Sequence, residues 1–190
     1  MIKQEDLIER CRRGDPAAYT ALYNQHGHEV YNTILRLVSH TAEAEDLLQE
    51  SFVAAFEGIK SFRNTGGFRA WVKRIAINKS IDRIRKRKLR FVELEPERTL
   101  TVEEDDENID EEAFAYTMEA VNSAIEALPD GYRTVFNLYV VEGIPQAEIA
   151  EMLGLENTTV RTQYHRAKQK ILMILREGGY DEKQTGRIYP

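Results

Sequence analysis

Between Phe91 and Glu112 the chain carries eleven Asp or Glu against one base, Arg98, with Pro96 and the run EEDDENIDEE inside the stretch. Like charge at that density cannot be buried, and no helical stripe of apolar residues runs through it, so it reads as a flexible tether. This feature divides the 190-residue chain into two pieces, each of which needs a core of its own. Strand-like alternation is absent on both sides, and apolar residues recur at helical spacing. The expected fold class is therefore all-α: two small helical domains joined by a flexible acidic linker, the second containing a helix-turn-helix. The expected boundaries are a first domain at 1–89, the linker at 90–112, a second domain at 113–177 and a polar tail at 178–190.

The formal net charge of -6 argues at first sight against a nucleic-acid partner. Its distribution reverses that inference. From Lys60 to Arg90 there are twelve Lys or Arg against one acid, Asp82, directly before the acidic stretch. A polyanion feels the field within a Debye length of about 8–10 Å, not the total charge of the chain. No apolar run approaches the roughly 20 residues that span a bilayer, and the start, MIKQEDLIERCRRGD, lacks the apolar stretch of a signal peptide. Cys11 is the single cysteine, so no intrachain disulfide forms. A reducing, cytoplasmic location is expected.

In the first piece a helix is predicted over Gln4–Arg13, stopped at Gly14. Asp15 then caps a second helix with Pro16 in its first turn, where the missing N–H costs little. Ala18, Leu22, Val30, Ile34 and Leu37 form its apolar stripe. Thr41 is the expected cap of a third helix that turns Leu47, Leu48, Phe52 and Phe56 inward. The pattern breaks at Gly58 and Ser61–Gly67, and a fourth helix follows over about Phe68–Lys88. In the second piece one helix is expected at Ala113–Ala127. Another opens at Pro129 and ends near Glu142–Gly143.

The segment Ile144–Ile171, IPQAEIAEMLGLENTTVRTQYHRAKQKI, has the spacing of a helix-turn-helix. Ala150 permits a close helix crossing, Gly154 takes the left-handed turn, and Val160 anchors the second helix. Val160, Tyr164, Ala167 and Ile171 lie at i, i+4, i+7 and i+11 and face the core. Thr159, Arg161, Thr162, Gln163, Arg166 and Lys168 are left to face a major groove. Arg can hold guanine O6 and N7, and Gln adenine N6 and N7, each with two hydrogen bonds.

The fourth helix interleaves Arg69, Lys73, Arg74, Lys79, Arg83 and Arg85 with Trp71 and Asn78, behind a loop bearing Phe62, Arg63 and Asn64. Cations for phosphates, with aromatic and amide groups for exposed bases, suit single-stranded or opening DNA. Trp71 has core spacing, so Phe62 is the aromatic expected to meet a base. On the third helix, Asp46, Gln49 and Glu50 beside Leu47 and Phe52 fit a protein-docking surface. The competing reading is a metal held by Glu43, Asp46 and Glu50, as in a nuclease. No histidine joins those carboxylates; His26 and His28 fall on different helix faces. No zinc spacing, nucleophile triad or phosphate-cradling loop is present, so no cofactor is expected.

Taken in order, GDPAAYTALYNQH, AEDLLQESFVAAF, FRAWVKRIAINKSIDRIRKRK, LPDGYRTVFNLYVVEGIPQAEIAEMLGL and TTVRTQYHRAKQKI resemble a bacterial sigma factor of the extracytoplasmic-function group, in the sigma-70 family. The resemblance implies that the first domain is sigma region 2, binding core RNA polymerase through Asp46, Leu47, Gln49, Glu50 and Phe52. It implies capture of the non-template strand of the minus-ten element by Phe62, Arg63, Asn64, Lys73, Arg74 and Asn78. The second domain, sigma region 4, would read the duplex minus-thirty-five element through Thr159, Arg161, Thr162, Gln163, Arg166 and Lys168. The linker would thread through the polymerase toward its active centre and leave by the RNA channel. Control by an anti-sigma factor, often membrane-bound, is also implied, with no membrane insertion or covalent chemistry by this chain. Thr158 stands where many relatives carry Gly, and Gln163 where many carry a base. The alternative reading is a dimeric helix-turn-helix regulator that acts without polymerase.

Overall fold

The computed structural model describes residues 4–63, 66–91 and 117–177. The linker proper, the first residues of the helix expected from Ala113, Asn64 and the polar tail fall outside the described residues. The chain divides into two compact units, one within residues 1–93 and the other within 94–190. Every element in the described residues is helical.

The first unit contains α1 (Gln4–Arg12), α2 (Pro16–Val38), α3 (Thr41–Glu57), a single 3-10 turn at Ile59–Ser61, and α4 (Gly67–Phe91). Asp15 caps α2 as its sequence requires: its Oδ1 accepts from the Ala17 N–H at 2.9 Å, and Pro16 occupies the first turn. The other end of α2 is closed by Ser39 in the left-handed conformation, φ 57°, its N–H bonded to the Leu35 carbonyl. Thr41 does not cap α3. The flanking residue is His40, in extended conformation and without a side-chain cap bond, and Thr41 already lies inside the helix. The left-handed turn at Ser39 redirects the chain one residue earlier than the capping pattern suggests.

Burial along α3 follows the helical period. Ala44, Leu47, Leu48, Ser51, Phe52 and Ala55 are buried. They meet Leu22, Val30 and Ile34 of α2 and Phe68, Val72 and Ala76 of α4 in one core. Helix α1 contributes Leu7, Ile8 and Cys11 to it. The Tyr19 hydroxyl donates to the Cys11 carbonyl at 2.8 Å, fixing the end of α1 to α2.

The second unit contains α5 (Met118–Glu126), α6 (Asp130–Phe136) running into one π-helical turn at Asn137–Val141, α7 (Gln146–Leu153) and α8 (Asn157–Glu177). Thr117 caps α5 through its hydroxyl, which accepts from the Ala120 N–H at 3.2 Å. The Arg133 guanidinium donates to the Glu126 and Leu128 carbonyls at 3.0 and 2.9 Å and pairs with Asp130. It thereby satisfies carbonyls that the end of α5 leaves without helical partners. Ala120, Ala124 and Leu128 pack with Ala167, Ile171 and Leu175 of α8. Val135, Leu138, Ile149 and Val160 are fully buried.

Candidate polymerase and DNA interfaces

The turn between α7 and α8 is built as its sequence demands. Gly154 sits at φ 65°, ψ 40°. Its N–H bonds to the Glu151 carbonyl at 3.2 Å, and the Leu155 N–H reaches the Ala150 carbonyl at 2.9 Å. These are the two bonds that end a helix through a left-handed glycine. Thr158 occupies the first turn of α8. Val160, Ala167 and Ile171 are buried. The Tyr164 ring lies edge-on to Tyr139 at 4.8 Å. Burial, with Tyr139 nearby, pushes the Tyr164 phenol upward, so it stays neutral.

The residues expected to face DNA are not equivalent. Arg161 and Lys168 are exposed, whereas Thr159, Thr162, Gln163 and Arg166 are half-buried. One Arg166 nitrogen lies 3.5 Å from the Tyr132 hydroxyl, which orients the guanidinium from α6. Lys168 lies 6.0 Å over the Tyr164 ring. The Oε1 of Gln163 is buried without a hydrogen-bond partner. Two-bond reading of adenine therefore requires that side chain to rotate outward, which also relieves an unsatisfied acceptor.

On α4, Asn78, Arg85 and Lys86 are exposed and Arg74 is half-buried. Arg74, Asn78 and Arg85 share one stripe at i, i+4 and i+11. The cations beside it are braced by carboxylates of neighbouring helices. Glu29 of α2 pairs with Arg69 at 3.4 Å and with Lys73 at 3.6 Å. Arg83 pairs with Glu43 and Glu50 of α3, both at 3.4 Å, and Lys79 also meets Glu50 at 3.4 Å. Such pairs add little to stability when partly exposed. Their effect here is to hold long cationic side chains in fixed directions along the helix.

That arrangement breaks up the acidic cluster of α3. Glu43 and Glu50 turn to α4, while Asp46 faces outward with Gln49. Leu47 and Phe52 are only 1% and 3% exposed, as the inward stripe expected of α3 requires, so the placement of these two among the docking residues is corrected: they belong to the core beneath that face. The apolar residue on the face is Val53, 55% exposed, at i+7 from Asp46 and i+4 from Gln49. Periodicity alone could have found it.

The loop differs from expectation too. Phe62 is 5% exposed, its ring 4.7 Å from Trp71 and 6.0 Å from Phe68. It is core and cannot meet a base without leaving the aromatic cluster. Trp71 packs against the same core. Arg63, the next residue, is exposed. His26 and His28 do separate, the first buried and the second exposed.

Residues 22–90 match the family described as Sigma-70 region 2, and residues 118–171 match Sigma-70, region 4. Over 186 residues the chain is 33% identical to the ECF RNA polymerase sigma factor SigW of Bacillus subtilis, covering 93% of this chain and 98% of that protein. The chain belongs to the sigma-70 family, in its extracytoplasmic-function group. It is also 30% identical to the RNA polymerase sigma-H factor of Pseudomonas aeruginosa, over 89% of this chain and 92% of that one. Among solved structures it shares a fold with the sigma factor RpoE of Bartonella quintana, crystallised with the anti-sigma factor NepR. The TM-score is 0.51 at 18% identity, covering 83% of this chain and 96% of that chain. This sigma factor is thus an alternative initiation factor: it joins core RNA polymerase, directs it to promoters and promotes their melting. Membership in the family favours that function over a dimeric regulator acting without polymerase. No helix among the described residues is long and apolar enough to cross a membrane.

Proposed function

We propose a residue-level division of labour for this sigma factor. The first domain, 1–89, docks on core polymerase through Asp46, Gln49 and Val53 on the outer face of α3, with Glu50 at the edge of that face, where it also pairs with Lys79 and Arg83 of α4. Leu47 and Phe52 shape that face from below. Arg63, Lys73, Arg74 and Asn78, together with Asn64, take the unpaired non-template strand of the minus-ten element. The second domain, 113–177, reads the duplex minus-thirty-five element through Thr159, Arg161, Thr162, Gln163, Arg166 and Lys168. The acidic sequence at 90–112, whose first two residues close α4, carries charge of the sign that suits channels built for nucleic acid.

The observation that carries this reading is the placement of a cationic helix surface in each of two separate units, α4 in one and α8 in the other. Neither surface is large. Mounted together on polymerase they act as linked sites, and effective concentration replaces intrinsic affinity. Trapping unpaired bases then offsets the few kcal/mol that unstacking costs. The covalent chemistry belongs to polymerase, so the chain is not itself an enzyme, and its place of work is the cytoplasm. An anti-sigma factor is the third partner, in keeping with the anti-sigma complex of the Bartonella quintana protein; its membrane association rests on the family resemblance alone.

Run-off transcription with purified core polymerase and a genomic library, followed by mapping of start sites, tests the whole. Discrete starts that require this chain are expected. Failure to join core polymerase, or to initiate at any defined start, overturns the reading.

A further inference from the structure

Helix α1 ends before residue 22, where the region 2 match begins. Its last residue nevertheless reaches the loop that precedes α4. The Arg12 Nη2 donates to the Phe62 carbonyl at 2.6 Å, and its Nε to the Ile59 carbonyl at 3.4 Å. Nη1 pairs with Glu9 of the same helix at 3.2 Å, which fixes the plane of the guanidinium. The two carbonyls lie three residues apart, at the start of the 3-10 turn Ile59–Ser61 and just after it. The Ile59 carbonyl already accepts from the Phe62 N–H at 3.3 Å, which closes the turn, and a planar cation with parallel donors ties that carbonyl to the Phe62 carbonyl just beyond it.

The same loop is pinned from its other side. The Phe62 ring is wedged against Phe68 and Trp71. The backbone at Phe62 is extended, φ -65°, ψ 120°. With the carbonyl held by Arg12 and the ring held by the core, the direction in which Arg63 leaves the surface is set. The holder is itself rigid: Leu7, Ile8 and Cys11 are buried, the Cys11 carbonyl is bonded to Tyr19, and Gln4 is hydrogen-bonded to His26 at 3.2 Å.

We propose that Arg12 is a positioning residue for strand capture, fixing the peptide before Arg63 so that Arg63 meets the unpaired non-template strand in a preset direction. This rests on the assignment of Arg63 to that strand. Preorganisation of this kind shows as coupling between two residues that do not share a ligand contact.

The test is a double-mutant cycle in reconstituted holoenzyme. The probe is a fluorescently labelled single strand copied from the non-template side of a promoter mapped for this sigma factor. Arg12→Ala is expected to weaken strand binding by about 3–10-fold, in the range of coupled neighbours. In an Arg63→Ala background the same substitution should cost almost nothing. Arg12→Lys should restore part of the loss, because one donor can still reach the Phe62 carbonyl. Core polymerase binding and duplex minus-thirty-five binding, measured in parallel, should not move. Multiplying effects of Arg12→Ala and Arg63→Ala would overturn the proposal while leaving the role of Arg63 intact. A parallel loss of all three binding activities would also overturn it, by making Arg12 a residue of general stability. Arg63→Ala without effect on the strand would sink the underlying assignment and the proposal with it.

Discussion

Gly154 and Ser39 form a natural pair of opposite experiments. Both close a helix in the left-handed region, Gly154 at φ 65° and Ser39 at φ 57°. Only one of them is a glycine. A Cβ in that region costs about 1–2 kcal/mol, whereas replacing Gly also narrows the unfolded ensemble, which returns about 0.4–1 kcal/mol. The net expectation for Gly154→Ala is a loss of about 1 kcal/mol. The same arithmetic in reverse gives Ser39→Gly a gain of up to about 1 kcal/mol. For a domain of this size each kcal/mol moves Tm by about 4–8 °C. Trp71 is the single tryptophan of the chain and lies in the first unit. Tryptophan fluorescence therefore reports the first unit, while far-UV circular dichroism reports both. Ser39→Gly should raise the fluorescence melt; Gly154→Ala should lower a circular dichroism transition and leave the fluorescence melt in place. At position 154 the order of damage should be Asn, then Ala, then Val, because Asn tolerates the left-handed region and a β-branched side chain resists it most. Equal stability of the three variants, or a fall in stability in Ser39→Gly, would refute the conformational argument.

Val53→Glu should leave Tm within the narrow range of surface substitutions, about ±0.5 kcal/mol, yet reduce core polymerase binding at least several-fold in a competition assay. Arg161→Ala should weaken duplex minus-thirty-five binding by about 1–3 kcal/mol without changing the melt. Lys73→Ala should flatten the salt dependence of open-complex formation by about one counterion per lost phosphate contact. His26 supplies a pH dependence. Burial, opposed in part by Glu29, lowers its pKa below the ordinary 6.5. The unfolded state then binds the proton more readily, so stability is full above the ordinary histidine range and falls as pH drops toward the depressed folded value. Urea midpoints in the first unit should decline over that window, and His26→Gln should remove the decline.

Much of this protein was legible in order along the chain, because local geometry leaves a local mark. The cap at Asp15, the left-handed Gly154 and the buried stripe Val160, Ala167, Ile171 each follow from residues within one or two turns. So does the division into two helical pieces, since charge at the density of Phe91–Glu112 cannot enter a core. What had no local mark had to come from packing. Leu47 and Phe52 have the inward spacing of α3, but only the covering by α2 and α4 shows that they stay out of the docking face altogether and leave Val53 outside. Phe62 sits in a stretch with no helical period, so nothing in its neighbourhood says whether the ring faces solvent or Trp71. Glu29, Glu43 and Glu50 find their cations on α4, between 29 and 44 positions away along the chain. Arg12 meets the Phe62 carbonyl across 50 positions. Period and capping act over one or two turns of backbone, whereas burial and ion pairing depend on which helices meet, and only the tertiary structure decides that.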